Sequence, residues 1–226
     1  MSRVTSQRGA RVPFDVVGGA RPVVWGIVVA AGSGSRFGGP KQYEVLCGRR
    51  VVDWARQAVL RCCDGVVMVV PPERIEHREP GAHRVVAGGA TRSASVRAGL
   101  AAVADDAEIV VVHDGARPLA TVDLFRRVID AVRAGADAAV PGVPLSDTVR
   151  DVDAGTLDRA RLVAVQTPQA FRADVLRRAH HGDPDATDDA ALVEAVGGTV
   201  TVVEGERRNL KITTPLDLRL AALLLA

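Results

Sequence analysis

The sequence of 226 residues predicts an α/β protein: a single doubly wound, mainly parallel sheet that carries a projecting β-hairpin arm. Three observations predict it. Apolar, β-branched runs alternate with segments of helical spacing along most of the chain, the pattern of strand and crossover helix that builds parallel sheets. The first of these runs passes directly into a glycine-rich stretch, Gly32-Ser33-Gly34-Ser35-Arg36-Phe37-Gly38-Gly39. Between Pro141 and Gln169 the alternation gives way to short β-like pieces around a turn signal.

Residues 1–22, rich in Arg, Gly and Ser and without periodicity, read as a flexible leader or a misassigned start, so one domain is expected over 23–226. Val23 to Ala31 is a nearly continuous apolar run, as for a buried parallel strand. Val51 to Arg61 has helical spacing through Val51, Val52, Trp54, Ala55, Ala58 and Val59, and Gly65 to Val70 is a second strand closed by Pro71-Pro72, completing a βαβ unit. Val85 to Ala87 leads into Gly88-Gly89 and a helix over Ser93 to Ala104. Glu108 to Val112 is a third core strand ending at His113-Asp114. Thr121 caps a helix that runs to Gly135, and Ala136 to Val140 is another short strand. Asp147 to Asp151 and Leu157 to Val165, joined by Asp153-Ala154-Gly155, predict the hairpin arm over about 141–169. A helix at Thr187 to Val196, a strand at Thr199 to Glu204 and a helix from Pro215 complete the domain.

Composition narrows the function classes. Hydrophobic residues at 47% and charged residues at 25% are ordinary for a soluble globular domain, and no apolar run reaches the ~18 residues that span a bilayer. No apolar segment precedes a small-residue cleavage site, so a cytoplasmic protein without membrane attachment is expected. A net charge of +2 gives no footprint for nucleic acid. Cys47, Cys62 and Cys63 are odd in number and include an adjacent pair, so they read as buried thiols, not as a disulfide framework or metal ligands. Among 29 basic residues only Lys41 and Lys211 are lysines, and Asn209 is the sole asparagine, two positions from Lys211. In a chain that otherwise uses arginine for its cations, these three positions stand out.

The glycine-rich loop points to phosphate. Glycines let backbone N–H groups converge on anionic oxygens without Cβ interference, and Arg36 and Lys41 add full charges beside them. The dinucleotide fingerprint fails, because Phe37 stands where its last glycine is required, and the Gly-Lys-Ser/Thr of a P-loop is missing.

Val29-Ala30-Ala31-Gly32-Ser33-Gly34-Ser35-Arg36, followed by Pro40-Lys41-Gln42-Tyr43, resembles the opening of sugar-nucleotide pyrophosphorylases and, with the tyrosine, of the methylerythritol phosphate cytidylyltransferases. Later motifs separate the two. Gly88-Gly89-Ala90-Thr91-Arg92-Ser93-Ala94-Ser95-Val96, Val112-His113-Asp114-Gly115-Ala116-Arg117-Pro118, Asp147-Thr148, Thr167-Pro168-Gln169, Thr187-Asp188-Asp189 and Asn209-Leu210-Lys211-Ile212-Thr213 occur in the order of the second family. The similarity runs from Val23 to the C-terminus. Two departures concern cytosine and ribose recognition: Val29, where some members have proline, and Ala90, where some have aspartate.

The resemblance implies a Rossmann-like nucleotidyltransferase fold and transfer of CMP from CTP to 2-C-methyl-D-erythritol 4-phosphate, with pyrophosphate release, on the non-mevalonate route to isoprenoid precursors. Two anions must then meet, so cations have to be concentrated where charge develops. The resemblance gives that work to Arg36, Lys41, Arg159 and Lys211, and counting back from Thr167-Pro168-Gln169 favours Arg159 over Arg161. It places the nucleotide against Ala30, Ala31, Gly32, Ser33, Gly34, Gly88, Gly89, Ser95, Asp114 and Gly115. It places the polyol phosphate against Arg117, Thr148, Arg159, Thr167, Thr187 and Lys211. A divalent ion, Mg²⁺, is expected to bridge triphosphate oxygens, and two roles are open to Asp114: ligand of that ion, or partner of Arg117. His113 reads as structural, since the attacking phosphate is already ionised. Ser95 has a competing reading as a plain helix N-terminal serine.

The arm has no evident core of its own, and an isolated hairpin is marginal in water. The resemblance implies a homodimer in which the arms of two subunits clasp, with Thr148 and Arg159 serving the neighbouring site. The competing functions are a cytidylyltransferase for another polyol phosphate, such as ribitol 5-phosphate, and a nonenzymatic nucleotide-binding module. Cations on both reacting phosphates argue against the module.

Overall fold

In the computed structural model, which describes residues 21–225, the first apolar run forms β1 (Val24–Val29), followed by the glycine-rich loop and α1 (Val51–Cys62). Next come β2 (Gly65–Val70), β3 (Arg84–Ala87), α2 (Arg92–Ala101), β4 (Ile109–Asp114) and α3 (Val122–Arg133). After β5 (Ala138–Pro144) the chain makes the arm. It returns as β6 (Val163–Val165), β7 (Gln169–Arg172), α4 (Ala173–Ala179), α5 (Asp189–Ala195), β8 (Val200–Glu204) and α6 (Pro215–Leu225).

The eight strands form one sheet in the order β6-β5-β7-β4-β1-β2-β3, with β8 parallel to β5 on its other edge. β1 lies between β2 and β4, parallel to both, with Ile27 opposite Val67 and Val112. β7 is antiparallel to β4 and β5, so the sheet is mixed at that end. Successive side chains of a strand face opposite ways, and the core divides accordingly. Ile27, Val67, Val69, Val110 and Val112 pack under α2, α4 and α5, while Val24, Val28, Val66, Met68 and Val111 pack under α1 and α3. Phe125 of α3 and Phe171 of β7 are fully buried on opposite faces, and truncating either to alanine would cost about 3–5 kcal/mol.

This is the doubly wound, mainly parallel sheet expected from the sequence. Thr121 caps α3, its Oγ1 accepting from Leu124 N at 3.1 Å. α2 begins at Arg92, one residue before the expected Ser93, and is capped by Thr91, whose Oγ1 accepts from Ala94 N at 3.1 Å. The helix also stops at Ala101, short of the expected Ala104. β5 is longer than the apolar run Ala136 to Val140, because its second half, through Pro144, is paired with β6 and β8.

The arm is smaller than expected. Its ladder consists of Arg150–Asp151 paired with Gly155–Thr156. Leu157 to Val165 is not one strand, since Arg159–Arg161 is a single 3₁₀ turn and Val163–Val165 joins the central sheet. β7 and α4 are not among the elements expected from the sequence: four and seven residues are too few to show a period, with polar Gln169 opening the strand and Arg177-Arg178 inside the helix. The expectation of buried thiols fails at Cys47, which is exposed. It sits with Gly48 at the tip of the ribbon formed by Val45–Leu46 and Arg49–Arg50, both residues at positive φ (49° and 79°), a two-residue turn that points its side chain outward. The leader lies outside the described residues, apart from positions 21 and 22.

Candidate active site

β1 and β4 end side by side, with Val29 opposite Asp114, and the carboxyl ends of such strands are where open α/β sheets bind ligands. The cleft there holds about 380 Å³ and is lined by Val29 to Gly34, Lys41, Gln42, Gly89 to Arg92, Ser95, Asp114, Ala116 and Lys211. The loop's shape is set at Gly34, which has φ +68°. A Cβ there would stand 1.8 Å from Gly39 O, so no side chain is tolerated. Gly34 O in turn accepts from the N–H groups of Phe37, Gly38 and Gly39 at 2.8, 3.1 and 3.3 Å. This folds the loop back and delivers Lys41 to the rim of the cleft. Gln42, 3% exposed, fastens the base of the loop, its Nε2 donating to Ala30 O and Gly32 O at 2.7 Å each. Tyr43 donates its hydroxyl to Ala30 O at 3.3 Å, and the Arg74 guanidinium lies 4.0 Å from its ring centroid.

Asp114 is the electrostatic centre. Lys211 Nζ is 2.7 Å from one carboxylate oxygen, Arg92 Nε 3.6 Å from the other, and Arg117 Nε 4.0 Å away. Burial opposes ionisation of this carboxyl, but Lys211 and Arg92 outweigh it and hold the group well below the usual carboxylate range. Burial also lowers the pKa of Lys41, and the neighbouring Lys211 and Arg36 lower it further. The cleft is thus lined by Lys41, Lys211 and Arg92 with a single carboxylate among them, a surplus of positive charge suited to a polyanion.

A buried scaffold holds these groups. Asp114 N–H donates to Thr167 Oγ1 at 3.0 Å. His113, fully buried, contacts Thr167 Oγ1 through Nδ1 and Arg117 O through Nε2, each at 3.2 Å. Burial lowers its pKa to about 4, so it is a neutral structural group at pH 7. Asn209, also fully buried, donates to Thr167 O at 2.9 Å and Gln166 Oε1 at 3.2 Å, while its backbone carbonyl accepts from Arg117 Nη1 at 2.8 Å. The lone asparagine therefore anchors the segment that carries Lys211.

Of the residues singled out from sequence, the cleft brings together Ala30, Ala31, Gly32, Ser33, Gly34, Lys41, Gly89, Ser95, Asp114 and Lys211. Gly88 and Gly115 stand behind its wall, where a Cβ would meet Ala31 Cβ at 2.2 Å and Val29 O at 3.1 Å respectively. Ser95 lines the cleft, yet its hydroxyl is occupied locally, donating to Thr91 O at 2.9 Å and accepting from Gly89 N at 3.2 Å. Arg117 and Thr167 are in the scaffold just described. Arg36 is exposed on the loop, and Thr187 is exposed on the segment before α5. Thr148 and Arg159 are on the arm, outside the cleft of their own chain, with Arg159 Nη1 donating to Ser146 O. Sequence reasoning gave no role to Arg92 or Gln42, although both stand inside quoted motifs. Arg92 had a usable signal: it is a cation in the first turn of a helix, where the dipole disfavours one, so some anion must hold it there.

A glycine cradle and a ring of cations at the carboxyl end of a doubly wound sheet define a nucleotide-binding α/β protein built for phosphate chemistry. Residues 24–226 match the family model described as 2-C-methyl-D-erythritol 4-phosphate cytidylyltransferase, IspD. The chain is 47% identical over 216 residues to the protein of that name from Rhodococcus jostii (strain RHA1), covering 90% of this chain and 95% of the relative. Among solved structures it is similar to that of 2-C-methyl-D-erythritol 4-phosphate cytidylyltransferase from Thermus thermophilus, with a TM-score of 0.76, 36% identity and coverage of 88% and 97% of the two chains. It is likewise similar to that of 4-diphosphocytidyl-2C-methyl-D-erythritol synthase from Anaerococcus prevotii, with a TM-score of 0.77, 30% identity and coverage of 90% and 98%. The chain belongs to the 2-C-methyl-D-erythritol 4-phosphate cytidylyltransferase family.

Proposed function

We propose that the cleft binds CTP and that the enzyme transfers its CMP unit to the phosphate of 2-C-methyl-D-erythritol 4-phosphate, giving 4-diphosphocytidyl-2-C-methyl-D-erythritol and pyrophosphate in isoprenoid precursor biosynthesis. Family membership supports the substrates. The observation that carries the chemistry is the ring of Lys41, Lys211 and Arg92 around Asp114 at the mouth of the glycine loop. The loop N–H groups, Lys41 and Arg36 hold the triphosphate, and residues from Ala30 to Gly34, with Gly88, Gly89, Ser95 and Gly115, shape the nucleotide's seat. An oxygen of the acceptor phosphate attacks the α-phosphorus in line. As that P–O bond forms, the bond to the bridging oxygen breaks and pyrophosphate departs with its electron pair. Negative charge grows on the non-bridging oxygens and the leaving group, where fixed cations stabilise it more than in the ground state. No side chain has to remove a proton, because the phosphate monoester is ionised near neutral pH.

Asp114 is the one carboxylate lining the cleft, and the described residues hold no group of three His, Cys, Asp or Glu that could bind a metal. Asp114 is the residue that would hold a Mg²⁺ ion brought in with the triphosphate. When bound, the ion would neutralise phosphate charge.

On the acceptor side, Lys211, Arg117, Thr167 and Thr187 serve the polyol phosphate within the chain, and Thr148 and Arg159 serve it across a homodimer. The arm supports the dimer: its ladder is two residue pairs long, and Val152, Val163, Val165 and Val202 remain exposed. A second chain would cover them. The reading places the enzyme in the cytoplasm, where CTP is available, and no helix among the described residues is long and apolar enough to cross a membrane. The test is pyrophosphate release from CTP with methylerythritol phosphate and with ribitol 5-phosphate side by side. Release with the first alone is expected. Release only with ribitol 5-phosphate, or with neither, would overturn the assignment.

A further inference from the structure

The segment before α5 is held chiefly by one helix, with one further bond from β7, where Gln169 Nε2 donates to Asp188 Oδ2 at 3.2 Å. Ser93, 1% exposed on α2, donates its hydroxyl to Ala186 O at 2.9 Å and accepts from Ala186 N at 3.1 Å. One turn along, Arg97 Nη1 donates to Pro184 O at 2.6 Å, and its Nε lies 3.0 Å from Asp183. At the helix start, Arg92 Nη1 donates to Asp189 Oδ2 at 2.7 Å. Asp189 has a fully buried side chain, and His180 Nε2 contacts its other oxygen at 3.1 Å. Residues 183–189 are thus gripped by α2 at 183, 184, 186 and 189 and by Gln169 at 188, and exposed Thr187 sits between the holds at 186 and 188. The same helix start supplies Thr91, Arg92 and Ser95 to the nucleotide cleft, and Arg92 also faces Asp114 at 3.6 Å.

We propose that Ser93 and Arg97 are positioning residues: together with Arg92, which also lines the cleft, they mount the acceptor-side loop on the nucleotide-side helix, so that Thr187 is placed relative to the cleft by α2. This rests on the reading of Thr187 as a contact to the polyol phosphate. The clamp itself is independent of that reading. Ser93 and Arg97 do not line the cleft, so their loss acts on the loop and leaves CTP's seat intact. Each grip is one or two hydrogen bonds, and a net bond is worth ~0.5–1.5 kcal/mol, up to about ten-fold in an equilibrium.

The experiment pairs hydrogen exchange with kinetics on the full chain. Ser93→Ala and Arg97→Ala should each speed amide exchange across residues 183–189 by up to about ten-fold, with exchange across residues 30–42 unchanged. In pyrophosphate-release assays KM for methylerythritol phosphate should rise by about three- to ten-fold with KM for CTP unchanged, and Arg97→Lys should recover part of the loss. Unchanged exchange in 183–189 would remove the clamp. Faster exchange without a rise in acceptor KM, or with both KM values rising together, would show that the clamp does not position the acceptor. If the wild-type protein released no pyrophosphate from this substrate pair, the substrate assignment would fall, and the exchange result would still decide the clamp.

Discussion

The cleft and the arm hold their charged groups by different means. Asp114, 7% exposed, is fixed by Lys211, by Arg92 and by the backbone bond to Thr167, and Thr167 is fixed by buried His113 and Asn209. Asp151 on the arm accepts from the N–H groups of Asp153 and Ala154 at 2.9 and 2.7 Å, and the surrounding residues are in solvent. One region is preorganised by its own chain, and the other is organised only locally. Preorganised cations cost no rearrangement at the moment of reaction, so the cleft is the place for groups that stabilise a transition state. The arm is the place for groups that need something outside their own chain.

The largest expected effect breaks the preorganised side. Lys41→Ala should lower kcat by ~10²–10³, because the ammonium matters most as charge builds on the phosphates. CTP affinity, measured by calorimetry, should fall less, since the loop N–H groups and Gln42's hold on the loop remain. A variant with near wild-type turnover would remove the cation ring as the source of catalysis.

The next effect tests whether the arm serves a partner. Equal amounts of Lys41→Ala and Arg159→Ala chains, each inactive alone, should regain about a quarter of wild-type activity after subunit exchange, because half the dimers are mixed and each mixed dimer has one intact site. No recovery, with exchange demonstrated by mass, would put Arg159 in its own subunit's site.

The difference between the two regions also explains what the sequence showed. The core strands were legible because buried parallel strands are continuous apolar runs, as in Gly65 to Val70. The scarcity of Lys and Asn picked out Lys41, Lys211 and Asn209, and all three proved to be in the cleft or its scaffold. The arm is shorter than its sequence suggests because Leu162 to Val165 is a continuous apolar run that reads on from Leu157 as one strand; only tertiary pairing with β5 reveals that Val163–Val165 belong to the central sheet. Arg92 escaped because its partners, Asp114 and Asp189, are 22 and 97 positions away in the chain, a relationship that no local spacing encodes.

The smallest expected effect is on stability. His113 has its pKa lowered by burial from an ordinary 6.5 to about 4. Between those values the unfolded chain binds a proton that the native chain refuses, so stability rises with pH across the window and is lost as pH falls through it. Below about 3.8 Asp114 adds a second loss, because its carboxylate is stabilised in the fold and must be protonated. Urea unfolding of the wild-type protein should therefore weaken from pH 6.5 to 4 by on the order of 1–3 kcal/mol. His113→Asn, which keeps a polar side chain beside Thr167 without a titrating ring, should start less stable at pH 7 and lose less across the same window. On the arm, the N–H groups of Ala154 and Asp153 hold the Asp151 carboxyl below its ordinary 3.8, a range that lies under this window, so Asp151→Asn should leave the profile from pH 6.5 to 4 unchanged. Equal flattening by the two variants would mean that the arm turn is as well buried as the sheet end, and the contrast between a self-sufficient cleft and a solvent-exposed arm would have to be abandoned.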